Sequence, residues 1–162
     1  MKKVLFLLFV TICIPFIARA QYVDLGLKSG TLWKSTNENG YYSYDQAVRE
    51  FGNQLPRKGQ MEELVNSCEW TWTGDGYDVT GPNGNKIFLS ADGYTSCDDG
   101  KMYDGGLSGF YWSLTPKDDE NAWLMDLYEP SVQFASLWRE DHYLVVEGWR
   151  CRGRSVRLVK SK

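Results

Sequence analysis

Hydrophobic and polar positions change period several times along this chain, and each change marks an element. Tyr22-Val23-Asp24-Leu25-Gly26-Leu27 and Thr31-Leu32-Trp33, separated by Lys28-Ser29-Gly30, read as two short strands around a glycine-bearing turn. At Ser43 the period becomes helical. Ser43 with Gln46 forms a capping box, Ala47, Val48 and Phe51 make an apolar stripe, and Gly52 is the expected stop. After Asn53-Gln54-Leu55-Pro56 a second helix is predicted, with Met61, Leu64, Val65 and Cys68 at i, i+3, i+4 and i+7.

Beyond Cys68 the pattern is that of strands and loops. Trp70 and Trp72 share one face of a strand and the threonines Thr71 and Thr73 the other. Pro82-Asn83-Gly84-Asn85 predicts a hairpin between Tyr77-Asp78-Val79-Thr80 and Lys86-Ile87-Phe88-Leu89, with a type I′ turn at Asn-Gly. Residues 90–108, dense in Gly and Asp, read as one long surface loop. A central strand follows over residues 109–116, with Phe110, Trp112 and Leu114 on one face and Tyr111, Ser113 and Thr115 on the other. Residues 122–128 form the next strand, which Glu129-Pro130-Ser131 turns into Val132-Gln133-Phe134-Ala135. Residues 137–153 have no clean period. Residues 154–159 read as a closing strand with Val156 and Leu158 inward, paired with the N-terminal segment. Two helices among many short strands make the class α+β.

The first twenty residues follow a different logic. Lys2 and Lys3 precede an apolar run interrupted by Pro15, and Ala18-Arg19-Ala20 offers small residues to a signal peptidase, so residues 1–20 are expected to be a signal peptide cleaved before Gln21. The run is shorter than the roughly 20 residues that a spanning helix needs. Residues 21–162 then form a single secreted domain, periplasmic or extracellular, with no membrane attachment after cleavage. Removing Lys2, Lys3 and Arg19 takes the formal charge from −3 to −6. This acidic balance argues against nucleic acid as a partner, because phosphate-backbone binding runs on clustered Lys and Arg. Arg150, Arg152, Arg154 and Arg157 are the one basic cluster, and their alternation reads as the solvated face of the closing strand.

Export places Cys68, Cys97 and Cys151 in an oxidising compartment, where three thiols allow one intramolecular bridge at most. The sequence leaves the pairing open. Cys68 closes a helical apolar stripe and reads as buried, which favours Cys97–Cys151.

Candidate chemistry is sparse. His142, the one histidine, lies beside Asp141 with no nucleophile in sight, so no catalytic residue is assigned and an enzyme is not expected. Asp92, Asp98, Asp99 and Asp104 could offer oxygens to Ca²⁺, but they read better as a solvated acidic loop, and no metal or other cofactor is expected. Aromatic residues are the stronger lead. Seven Trp, ten Tyr and seven Phe exceed what a core of this size needs. Trp33, Trp70, Trp72 and Trp112 fit alternating core patterns, which leaves Trp138, Tyr143 and Trp149, with Arg139 and Arg150, as the candidate ligand-binding residues.

Several of these stretches together resemble the Fibrobacter succinogenes major paralogous domain, a family of secreted Bacteroidetes proteins. The opening Tyr22 to Leu27 with Ser29-Gly30-Thr31-Leu32-Trp33 looks like its first signature. Leu55-Pro56 with Glu62-Glu63-Leu64 is similar to its Leu-Pro-Thr-x-x-x-x-Glu-Leu pattern. Tyr111-Trp112-Ser113-x-Thr115-Pro116, Ala122, and Gly153-x-Ser155-Val156-Arg157-Leu158-Val159 match its closing signatures. The resemblance implies a C-type-lectin-like fold, with two helices packed on a small mixed, mainly antiparallel sheet, the chain ends meeting in that sheet and long loops at one end. Two departures stand out. Arg57 replaces the Thr that would cap the second helix, a loss of typically ~1 kcal/mol, and residues 132–154 are longer than the family pattern. Cys97 and Cys151 do not match the copper-binding pair of the related formylglycine-generating enzymes, so that activity is not implied. Glu129-Pro130-Ser131 keeps only part of the calcium-lectin loop motif.

The expected function is a secreted, non-enzymatic binding module whose loop end holds a glycan or protein ligand at a host or bacterial surface. A structural or surface-assembly domain, and a binding protein diversified by a retroelement, are the alternatives.

Overall fold

The computed structural model describes residues 21–131 and 143–162. The predicted signal segment, the strand expected over residues 132–135, and Trp138, Arg139 and His142 lie outside the described residues. Strands β1 (Tyr22–Asp24) and β2 (Thr31–Lys34) pair antiparallel, and β11 (Val159–Ser161) joins β2 from the other side, so the two ends of the domain share one sheet. Helix α1 (Tyr44–Phe51) starts at the Ser43 capping box, with Ser43 N–H donating to Gln46 Oε1 at 2.8 Å, and ends at Gly52. Helix α2 (Lys58–Ser67) has a weaker start of its own: Gln60 Oε1 accepts from Arg57 N–H at 2.8 Å, and the Arg57 side chain, which only donates, cannot return the bond. The Thr115 hydroxyl takes that place, accepting from Lys58 N–H at 3.0 Å.

A second sheet is the meander of β3 (Glu69–Trp72), β4 (Gly76–Thr80) and β5 (Lys86–Ser90). Its second turn closes through Gly84 N–H to Gly81 O at 2.9 Å; Gly84 alone adopts positive φ, at 82°, with Pro82 and Asn83 in the turn's interior. The expected type I′ geometry is therefore replaced, because Pro82 presets the negative φ of an ordinary turn. The third sheet holds β8 (Ser108–Pro116), β9 (Asn121–Tyr128) and β10 (Tyr143–Trp149) in the order β10-β9-β8. The aperiodic stretch thus contains a regular strand, hidden in the sequence because Tyr143 to Val146 are half-buried on both faces.

Strand β8 divides the hydrophobic interior. Tyr111 belongs to one cluster, with Met61 and Leu64 of α2, Trp33, Val79, Leu89, Met125 and Leu127. Phe110 and Trp112 belong to the other, with Tyr44 and Ala47 of α1, Leu124, Val156 and Leu158. Alternation along one strand buried on both faces serves two cores.

Three further expectations change. The sheets among the described residues are all antiparallel, and parallel pairing survives only as single bridges, Gly93 to Gly109 and Tyr111 to Ser155, so there is no one mixed sheet. Residues 90–108 are not one open loop. They contain a short hairpin of β6 (Tyr94–Thr95) and β7 (Met102–Tyr103), held by stacked Tyr94 and Tyr103 rings 5.8 Å apart. Gly93 lets this hairpin fold back: at φ 71°, an added Cβ would stand 2.0 Å from Tyr103 O. Finally, the closing strand is confined to β11, and Arg154 and Arg157 before it are buried rather than solvated, at 4% and 2% exposure. Among the described residues no helix is long and apolar enough to cross a membrane.

Candidate functional site

Arg157 explains why a charge can be buried in the closing segment. Its Nε donates to Asn37 Oδ1 at 2.8 Å, Nη1 to Lys34 O at 2.8 Å and Nη2 to Phe88 O at 2.7 Å. Asn37 in turn donates to Ser90 Oγ, Asp92 Oδ2 and the Tyr111 hydroxyl at 2.9, 3.1 and 3.3 Å. Burial pulls the Arg157 guanidinium below its ordinary pKa, with Tyr111 and Asp92 acting in the opposite direction. These groups satisfy one another, so the cleft of about 440 Å³ lined by Asn37, Asp92 and Arg157 rests on a structural knot joining three parts of the chain.

The acidic residues of the 90–108 region do not converge. Asp92 turns inward to this knot, whereas Asp99 accepts from Lys101 N–H and from the Tyr103 hydroxyl, both at 3.0 Å, and is held below the usual carboxylate range by the first of these bonds above all. Among the described residues no three His, Cys, Asp or Glu side chains gather in a way that could hold a metal ion.

The loop end is built by a ladder between the hairpin and the closing segment. Thr95 and Gly153 exchange both backbone hydrogen bonds, at 2.8 and 3.0 Å. Two residues after Thr95 and two before Gly153, Cys97 and Cys151 form a disulfide, with Cα atoms 5.5 Å apart, the spacing of a hydrogen-bonded antiparallel pair. Cys68 remains free, half-buried, with its thiol pushed up to about 11 by burial and secondarily by Glu63.

This ladder carries a row of stacked groups. The Arg152 guanidinium lies 4.4 Å from the Tyr94 ring centroid and 4.6 Å from that of Trp149, and Tyr94 stacks in turn on Tyr103. Trp149 is 56% exposed and Tyr103 42%, with Met102 and Leu107 also open to solvent beside the hairpin. Trp149 stands between two depressions. One, of about 420 Å³, is lined by Ser43, Asp45, Asp119, Glu120, Arg150 and Cys151 as well; the other, of about 300 Å³, includes Phe110, Asp126, Tyr128, Arg152 and Arg154.

The sequence-chosen residues fall in different places. Trp149 is on this surface. Arg150 adjoins it but is engaged in the scaffold: it pairs with Asp45 at the start of α1, donates to Asp118 O at 3.1 Å and lies 4.7 Å from the Tyr44 ring. Tyr143 sits at the far end of β10, six residues and roughly 20 Å away, stacked on Trp70 at 4.3 Å and edge-on to Tyr77. Trp138 and Arg139 lie outside the described residues. Tyr94, Tyr103, Arg152 and Arg154 were missed. The glycine- and aspartate-rich surroundings of Tyr94 and Tyr103 disguise a hairpin, and the arginines read as solvent-facing; the favoured Cys97–Cys151 pairing was the signal that tied the two stretches together. No family model, curated protein or solved structure gives a significant match to the chain.

Proposed function

We propose that this chain is an exported, non-enzymatic binding module, a member of the Fibrobacter succinogenes major paralogous domain family with a C-type-lectin-like fold. Its ligand, a glycan or protein surface, is taken at the loop end. The observation that carries this reading is the row Tyr103, Tyr94, Arg152, Trp149, stacked, exposed at its two ends Tyr103 and Trp149, and clamped by the Cys97–Cys151 disulfide. A guanidinium held between two rings has already lost its side-chain freedom, so contact with it costs little further ordering. The open Trp149 face, rimmed by Asp119, Glu120 and Arg152, offers a flat apolar platform with polar groups at its edge.

The test is a glycan-array and pull-down screen with the exported protein, compared with Trp149→Ala and Arg152→Ala. Captured ligands are expected to be lost in both variants. Ligands retained equally by all three proteins would place the binding surface elsewhere, and self-association without any ligand would favour an assembly domain.

A further inference from the structure

Trp149 is the most exposed large apolar side chain among the described residues, and the two depressions on which it opens differ in charge. The Arg152 guanidinium, 4.6 Å from the ring centroid, lines the depression of about 300 Å³ and not the one of about 420 Å³. The larger depression is acidic instead: it carries the carboxylates of Asp45, Asp119 and Glu120 against the single guanidinium of Arg150. Arg150 is engaged by the scaffold, paired with Asp45 and donating to Asp118 O at 3.1 Å. Asp119 and Glu120 are exposed on a turn that fixes its own backbone, for the Asp118 carboxylate accepts from Glu120 N–H at 2.9 Å and from Asn121 N–H at 2.7 Å, and Glu120 O accepts from Arg150 N–H at 2.9 Å. Among the described residues neither Asp119 nor Glu120 has an ion-pair partner.

Acidic side chains on a surface turn are ordinarily only solvated. Here they share a depression with an open indole, and a cation is drawn to both, to the ring by its quadrupole and to the carboxylates by charge-assisted hydrogen bonds. A quaternary ammonium asks for several rings around it, whereas this lining has Trp149 alone. A guanidinium needs one ring: it stacks flat, as Arg152 already does on Trp149, and presents its fork of donors to a carboxylate at the edge. Arg152 is a like charge to such a ligand, but it lies outside this depression, where the carboxylates are the nearer charges and weigh more. Resting on the binding-module reading above, we propose that the depression docks an arginine side chain from an exposed segment of a partner protein, stacked on Trp149 and met by Asp119 and Glu120. Tyr103 at the far end of the stacked row, with Met102 beside it in β7, gives the flanking residues of that segment apolar surface, which a free cation would leave uncovered.

The test is a titration of the exported protein, up to millimolar concentration, with the peptide acetyl-Gly-Arg-Gly-Arg-Gly-amide, with the same peptide carrying citrulline for arginine, and with its glutamate counterpart. Citrulline keeps the planar shape and removes the charge. The Trp149 indole N–H signal, assigned with Trp149→Phe, reports binding, and thermal melts show that each variant is folded. The arginine peptide is expected to move that signal, with the other two peptides binding roughly tenfold more weakly or worse, the size of one lost charge-assisted hydrogen bond. Asp119→Asn/Glu120→Gln, at exposed positions, is expected to weaken the arginine peptide by about the same factor, and Trp149→Ala to abolish binding; Glu69→Gln, an exposed carboxylate on β3, should leave it unchanged. Equal binding of the citrulline peptide, unchanged affinity in the double variant, or an equal loss in Glu69→Gln would overturn the proposal. No response to the arginine peptide while a glycan or a second copy of the chain still requires Trp149 sinks the arginine dock alone; ligands that bind without any dependence on Trp149 sink the binding-module reading with it.

Discussion

Thr95 and Gly153 exchange both of their backbone hydrogen bonds, and through that pair a hairpin in the middle of the sequence becomes part of the C-terminal segment. The candidate surface exists because of this join: Tyr94 and Tyr103 come from the hairpin, Trp149 and Arg152 from the other side. The Cys97–Cys151 disulfide holds the same ladder covalently, across a separation of 54 residues. Closing a loop of that length is worth ~2–4 kcal/mol in the unfolded chain. The double variant Cys97→Ser/Cys151→Ser is expected to lose that much in urea unfolding and to expose residues 94–103 to amide hydrogen exchange. Unchanged stability and protection would mean that the ladder stands without the bridge.

Arg157 is the second join, and it is internal. Arg157→Leu leaves Lys34 O, Phe88 O and Asn37 Oδ1 without their donor in a buried setting, at an expected cost of at least ~3 kcal/mol. Arg157→Lys should recover only part of it, since one ammonium cannot reach the three acceptors as the planar fork does. Equilibrium unfolding checks both, and a cost below ~1 kcal/mol for the leucine variant would contradict the knot.

Thr115 is assigned a helix-capping role across the fold. Thr115→Val keeps the shape and removes the acceptor for Lys58 N–H, so a loss of ~1 kcal/mol is expected, with faster exchange in the first turn of the helix at residues 58–67. No change in either quantity would contradict the cap.

This cap shows where sequence reading reached its limit. Arg57 correctly signals a helix that cannot cap itself, but nothing local in the sequence indicates that the hydroxyl comes from Thr115, 57 positions after Lys58. Capping boxes, helical stripes and strand alternation depend on neighbours in the chain, and the elements they mark were legible: the helix at Ser43 and the β8 strand. The buried arginines were not, because alternating charge looks identical whether the alternate face meets water or, as at Arg157, three acceptors from distant segments. The ligand surface was half legible for the same reason. Trp149 stood out by itself, whereas Tyr94 and Arg152 gain meaning only once the hairpin is folded against them.

Cys68 offers a pH test. Its thiol is raised from 9.0 to about 11, chiefly by burial. Between those values the folded protein keeps a proton that the unfolded chain releases, so stability should fall as pH rises through that window. Iodoacetamide should therefore label Cys68 more slowly in the native protein than in urea at pH 8, with the native rate still climbing above pH 10. Equal labelling rates in the two states would contradict a buried thiol.

The most direct measurement of the central claim is an NMR titration that follows the indole N–H signals of the seven tryptophans while a ligand recovered from the glycan and pull-down screens is added. Trp149→Phe assigns the key signal. The account predicts that the Trp149 resonance moves with the ligand while those of the buried Trp33 and Trp112 stay in place. A ligand that shifts Trp70 or Trp72 and leaves Trp149 unmoved, or screens that recover no ligand, would contradict it.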